Sequence, residues 1–117
     1  MIEELVARVL ATRNAAHLAH WKTKSFAQHT ALGEFYDALS GKIDTVVEMY
    51  QGACGLIGNV DVKPVSAKNI ESHIFEEAEW IQENRDEIAD GVSAVANVLD
   101  DLAGSYLTTF YKLKNLS

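Results

Sequence analysis

Apolar residues recur every three to four positions in four separate stretches, the period of helices that bury one side. In residues 2–21, Ile2, Leu5, Val6, Val9, Ala16 and His20 share a stripe. A second helix is predicted from about Gln28 to Gln51, with Leu32, Phe35, Leu39, Ile43, Val46, Tyr50 and, just beyond it, Ala53 on its apolar face. A third starts after Ser66, which is placed to cap it, and turns Ile70, Ile74, Ala78, Ile81 and Ile88 inward until Asp90-Gly91 stops it. The fourth carries Val95, Val98, Leu99, Leu102, Tyr106, Thr109, Phe110, Leu113 and Leu116 in a near-heptad stripe. Lys112 and Lys114 sit at its end, where the helix dipole favours cations. No stretch alternates with period two between turn dipeptides, so strands are not expected.

The breaks set the topology. Gly52 to Ser66 (GACGLIGNVDVKPVS) holds three of the seven glycines and the only proline. Short joins elsewhere and one longer connection between the second and third helices predict an all-α, antiparallel four-helix bundle, with that connection able to run the bundle's length.

Composition narrows the function classes. The 117 residues suit a single domain, 1–117, and 48% hydrophobic against 23% charged residues supports a buried core rather than a disordered chain. A net charge of −7 argues against a general DNA or RNA binder, which needs cations for phosphates. No apolar run is long enough for a membrane span. Glu3 and Glu4 stand where an export signal carries positive charge. The one cysteine, Cys54, allows no internal disulfide and no cysteine-based zinc site, so a reducing cytoplasm is the expected setting.

Candidate chemistry rests on His17, His20, His29 and His73 and on Asp44 with Glu48, one helical turn apart. Imidazoles mixed with carboxylates suit iron, manganese or zinc, with oxygen-rich sets favouring the first two. Plainer readings exist for each. His20 lies on the inward stripe and needs a partner for its ring nitrogens, either a hydrogen bond or a metal. His17, one turn earlier, is a supporting ligand or a packing residue. His73, followed by Glu76 and Glu77, reads as surface with no inward partner. His29, Gly33, Asp37, Ser40, Asp44 and Glu48 share the side of the second helix opposite Phe35 and Val46, a solvated face or an interface.

His29 and Asp44 are fifteen residues apart on one helix, ~22 Å along its axis, so they cannot share an ion within one chain. Two copies of the second helix packed antiparallel, with a two-fold axis near Asp37 and Ala38, would bring His29 of one beside Asp44 and Glu48 of the other. Gly33 and Ser40 are small enough for such an approach.

The stretch HWKTKSFAQHTALGEFYDALSGKIDTVVE resembles the ferroxidase signature of Dps-type miniferritins: His20-Trp21, Phe26, His29, then fourteen residues to Asp44 and three more to Glu48. Short ferritin-like proteins of tailed phages are similar too, including the Tyr111-Lys112-Leu113-Lys114 ending. The resemblance implies a ferritin-like subunit that binds iron, as one ion or a pair, at a two-fold interface. His20 and His29 would come from one chain, Asp44 and Glu48 from the other, and Trp21 would shield the site. It further implies Fe(II) oxidation by peroxide or oxygen, a homodimer, and in the family a larger shell. The setting would be cytoplasmic, that of the host if phage-encoded.

This chain departs from the family in several ways. The His20–His29 interval is shorter, Lys22 replaces an Asn, and the stretch from Gly52 has no room for the family's additional short helix. No Glu-x-x-His occurs, so an intrasubunit di-iron site is not expected, and no Lys-rich tail supports DNA coating. Zinc or manganese could take the same ligands in a crystal. The rival reading is a ferritin-like dimeric interaction protein without functional metal.

Overall fold

Helices form where the stripes lie: α1 (Ile2–Lys22), α2 (Phe26–Cys54), α3 (Ile70–Ala89) and α4 (Ser93–Asn115), in a computed structural model that describes residues 1–116. No strand occurs among the described residues.

The ends of α2 are set by two local devices. Ser25 is its N-cap, its hydroxyl accepting the Gln28 N–H at 3.2 Å, which starts the helix two residues ahead of Gln28. At the other end Gly55 adopts φ 99, a conformation that favours glycine, and the helix stops there rather than at Gln51. Residues 23–25 alone therefore join α1 to α2, a tight turn. Ser66 does not cap α3. Its hydroxyl accepts the Lys68 N–H at 3.0 Å within a turn, and the helix starts after Asn69, at φ 55. Asp90 and Gly91, both at positive φ, end α3 as the sequence predicts.

Each helix packs against two antiparallel neighbours, in the cyclic order α1, α2, α4, α3. Lys42–Asp101 at 2.7 Å and Lys112–Glu34 at 3.5 Å fix α2 against α4, while Arg8–Glu77 at 2.8 Å and Thr12–His73 at 2.9 Å fix α1 against α3. From these pairs α3 begins at the end of the bundle where α1 finishes. The chain leaves α2 at the opposite end, where the Gly58 N–H donates to the Glu3 carboxylate at 2.7 Å. Residues 55–69 thus cross from one end to the other without a helix of their own. The longest dimension is 43 Å, which the 29 residues of α2 span alone at ~1.5 Å each.

The core is the predicted one. Leu5, Leu32, Leu39, Ile74, Ile88, Leu99 and Leu102 are fully buried around Tyr106, whose ring meets Phe35 edge-on with centroids 5.0 Å apart. Ala53 and Leu116 are exposed and Tyr50 only half-buried, because the last turns of long helices outrun their neighbours. No helix is long and apolar enough to cross a membrane among the described residues.

The interior also holds polar groups. His73 is not a surface residue without a partner: its Nε2 bonds the wholly buried Thr12 hydroxyl at 2.9 Å. Burial, then the nearby Glu77 charge, pushes the Tyr106 hydroxyl well above its ordinary pKa, with a Thr12 hydrogen bond opposing. Glu77, nearly buried, is neutralised by Arg8, whose guanidinium lies 4.2 Å over the Trp80 ring. A carboxylate inside the bundle is therefore answered by a cation from the chain itself.

Candidate metal centre

The three-residue turn between α1 and α2 brings His20, in the last turn of one helix, onto His29, in the first turn of the next. Their rings stack with centroids 3.7 Å apart and planes 18° from parallel. Each ring also bonds the backbone of the other: His20 Nδ1 lies 2.6 Å from the His29 carbonyl oxygen, and His29 Nδ1 lies 2.8 Å from the His20 carbonyl oxygen. A carbonyl only accepts, so each Nδ1 carries the proton. With the proton fixed on Nδ1, the lone pair of the uncharged ring falls on Nε2, the tautomer a metal requires. The His20 carbonyl lies in the last turn of α1, where the helical ladder leaves C=O groups without partners; the His29 carbonyl, in the first turn of α2, accepts the ring proton in addition to its place in the ladder.

His20 is thus half-buried at the edge of the α1–α2 interface rather than enclosed in the core. Gly33 makes its seat: a Cβ there would come within 3.0 Å of His20 Cε1 and 3.2 Å of Nδ1. The sequence suggests that Gly33 lets a second backbone approach; within the chain its smallness serves the imidazole first.

His17 belongs to a different stack. Its ring lies on Tyr36, with centroids 4.0 Å apart and planes 12° from parallel, and Trp21 packs on it at 4.2 Å. Arg13, which only donates, is 3.3 Å from His17 Nδ1, so that nitrogen accepts and Nε2 holds the proton. Partial desolvation, then the Arg13 charge and His20, lowers the His17 pKa and favours the neutral ring. His17 therefore packs and hydrogen-bonds; it offers no lone pair outward. Trp21 is 65% exposed and covers His17, with no ring contact to His20 or His29.

Asp44 and Glu48 are exposed on α2 and enter no ion pair within the chain among the described residues. They share their face with the exposed His29, Asp37 and Ser40. Among the described residues no group of three or more His, Cys, Asp or Glu side chains in one chain is placed to hold a metal ion. The structure brings His20 and His29 together and keeps both from Asp44 and Glu48, in line with the helix-length argument. Nor do the two imidazoles chelate one ion as they stand, because lone pairs in near-parallel planes do not converge.

The reciprocal Nδ1 bonds, the Gly33 seat and the Arg13–His17–Tyr36 stack were not found from the sequence. The spacing of Gly33, four residues after His29 on the same helix, was the available signal for the seat.

The fold and site define a four-helix bundle with one end-to-end crossover and a preorganised pair of histidines at the α1–α2 turn, His20 half-buried and His29 exposed on α2. The chain belongs to a family of unknown function, DUF5856, whose model matches residues 20–113, from His20 through His29, Asp44 and Glu48 to Leu113. No curated protein and no solved structure matches the chain.

Proposed function

We propose that this protein is a Dps-like iron-binding protein that takes up Fe(II) at a two-fold homodimer interface built on α2, for iron sequestration or protection against oxidants. The observation that carries the reading is the reciprocal His20–His29 pair, which commits both Nδ1 atoms to carbonyls and leaves both Nε2 atoms without a partner in the chain, so that each imidazole serves a different ion of a two-iron site or one ring turns as the ion binds. Asp44 and Glu48 of the second copy supply the carboxylates that offset the cation's charge, and two equivalent sites result. The single crossover supports the reading, since ferritin-like bundles share that connectivity. So does Arg8 beside Glu77, which occupies the bundle interior and leaves the exposed face as the place for a cation. Fe(II) is the substrate; bound there it can give up an electron to peroxide or oxygen, while the protein supplies ligands and orientation.

The test is complementation between chains. One variant carries His20→Ala with His29→Ala, the other Asp44→Ala with Glu48→Ala. Each alone should lose calorimetric Fe(II) binding, and each mixed dimer should regain one of two sites. Undiminished binding in either variant, or no recovery on mixing, refutes the assignment. A stable dimer that neither binds nor oxidises Fe(II) faster than buffer would instead support the interaction-protein reading.

A further inference from the structure

Phe26 is the first residue of α2 and is 83% exposed, the most exposed aromatic side chain among the described residues. It follows Ser25, so capping fixes where it sits, and core packing does not explain it. At 3.6 residues per turn, Phe26 and Asp44 are five whole turns apart and point the same way. Phe26 therefore lies on the face that carries the carboxylates. The far end of α2 has the matching features. Gly52 would meet nothing within 4 Å if it bore a Cβ, and Leu56, just past the helix, is 87% exposed.

Two registers agree. Pairing His29 with Asp44 and Glu48 of a second copy puts the two-fold axis midway, near Asp37 and Ala38. Pairing Phe26 with Gly52 puts it at Leu39, ~2 Å further along the helix. Charge agrees as well. Lys22 and Lys24 precede Phe26, Asp44 and Glu48 precede Gly52, and none of these four joins an ion pair within the chain among the described residues. The exposed Asp37 side chains near the axis oppose the pairing, but water and salt screen them.

We infer that Phe26 of each chain docks on the Gly52–Leu56 end of α2 in a second, antiparallel copy of this chain, so that an aromatic clasp closes each end of the interface. The inference rests on the antiparallel pairing in the proposed function and adds the groups that hold it when no metal is bound. The bare backbone at Gly52 gives the ring a flat floor, Leu56 gives it an apolar wall, and Lys24 approaches Glu48 of the mate. An aromatic anchor carries a large share of association energy where a pocket encloses it, and the Gly52 floor and Leu56 wall supply that enclosure for Phe26.

Sedimentation in EDTA keeps this separate from iron. The wild-type chain should be a dimer there. Phe26→Asp and Leu56→Asp should each weaken dimerisation by at least about tenfold while keeping the helical circular dichroism of the wild type. Mixing Phe26→Asp with Leu56→Lys should restore a dimer, because one clasp stays intact and the other becomes an ion pair. A wild-type monomer in EDTA overturns the inference. So does dimerisation indifferent to both single substitutions, or no recovery on mixing. If dimers depend on Phe26 yet bind no Fe(II), only the iron reading falls; if Fe(II) binds at a dimer indifferent to Phe26, only the clasp falls.

Discussion

Substituting Gly33 by alanine sets two effects of similar size against each other. A helix-interior glycine costs roughly 0.5–1 kcal/mol relative to alanine, so the substitution should stabilise α2 by that much. The new methyl, however, would sit 3.0 Å from His20 Cε1 and 3.2 Å from Nδ1. Ordinary contact begins at 3.4 Å, so the ring must withdraw by a few tenths of an ångström or swing away. Swinging breaks the 2.6 Å bond to the His29 carbonyl and unstacks His29, a loss of about 0.5–1.5 kcal/mol for each neutral hydrogen bond. Gly104, in α4, provides the control, because a Cβ there meets nothing within 4 Å. Gly104→Ala should gain the full helix propensity, and Gly33→Ala should fall about 1 kcal/mol below it, close to wild-type stability. For a domain of this size that separates the two thermal midpoints by roughly 4 °C. Urea unfolding with matched slopes measures it directly. Equal stabilisation by the two substitutions would show that Gly33 does not seat the imidazole. The Fe(II) affinity of Gly33→Ala should also drop by about 10–100-fold, the usual effect of disturbing what orients a ligand.

Two further predictions concern the bundle itself. Thr12→Val keeps shape but strips the hydroxyl that His73 and Tyr106 share, and should cost about 1–3 kcal/mol in urea unfolding; a cost near zero would mean that the buried pair is satisfied otherwise. Glu3 is held below the ordinary carboxylate range chiefly by the Gly58 N–H, so its contribution to stability is present above its unfolded pKa and fades as pH falls through the lower folded value. Glu3→Gln should therefore narrow the gap to wild type as pH drops below about 4, and a gap that does not change with pH would contradict the assignment.

The bundle was legible because burial follows helical periodicity: ten of the fourteen stripe positions read for α3 and α4 are buried, from Ile74 to Leu113, and Ile70, Val98 and Phe110 pack partly against the core. Boundaries were less so, because caps are local. Ser25 and Gly55 moved the ends of α2, and Ser66, though the right residue type, spends its hydroxyl on a turn. The candidate site was legible in its residues but not in its bonding. Spacing shows that His29 and Asp44 cannot meet in one chain, yet nothing linear says that two imidazoles will each bind the other's backbone. His73 was misread for a related reason. Its partner Thr12 lies 61 positions away, and a small polar residue on an apolar stripe carries no sign of what it will bond.

The end-to-end crossover also shapes how the chain assembles. Each tight turn yields a helical hairpin from contacts near in sequence, α1 with α2 and α3 with α4, whereas the seams between hairpins must wait for docking. The tether between them, residues 55–69, can reach at most ~50 Å when fully drawn out. It must cover the ~30 Å of α3 and step diagonally across the bundle by ~14 Å, about 33 Å in a straight line. About five residues of slack remain. Insertions there should be absorbed as looser rope, but deleting more than a few residues would leave each hairpin unable to meet its own mate, and two molecules would exchange hairpins instead.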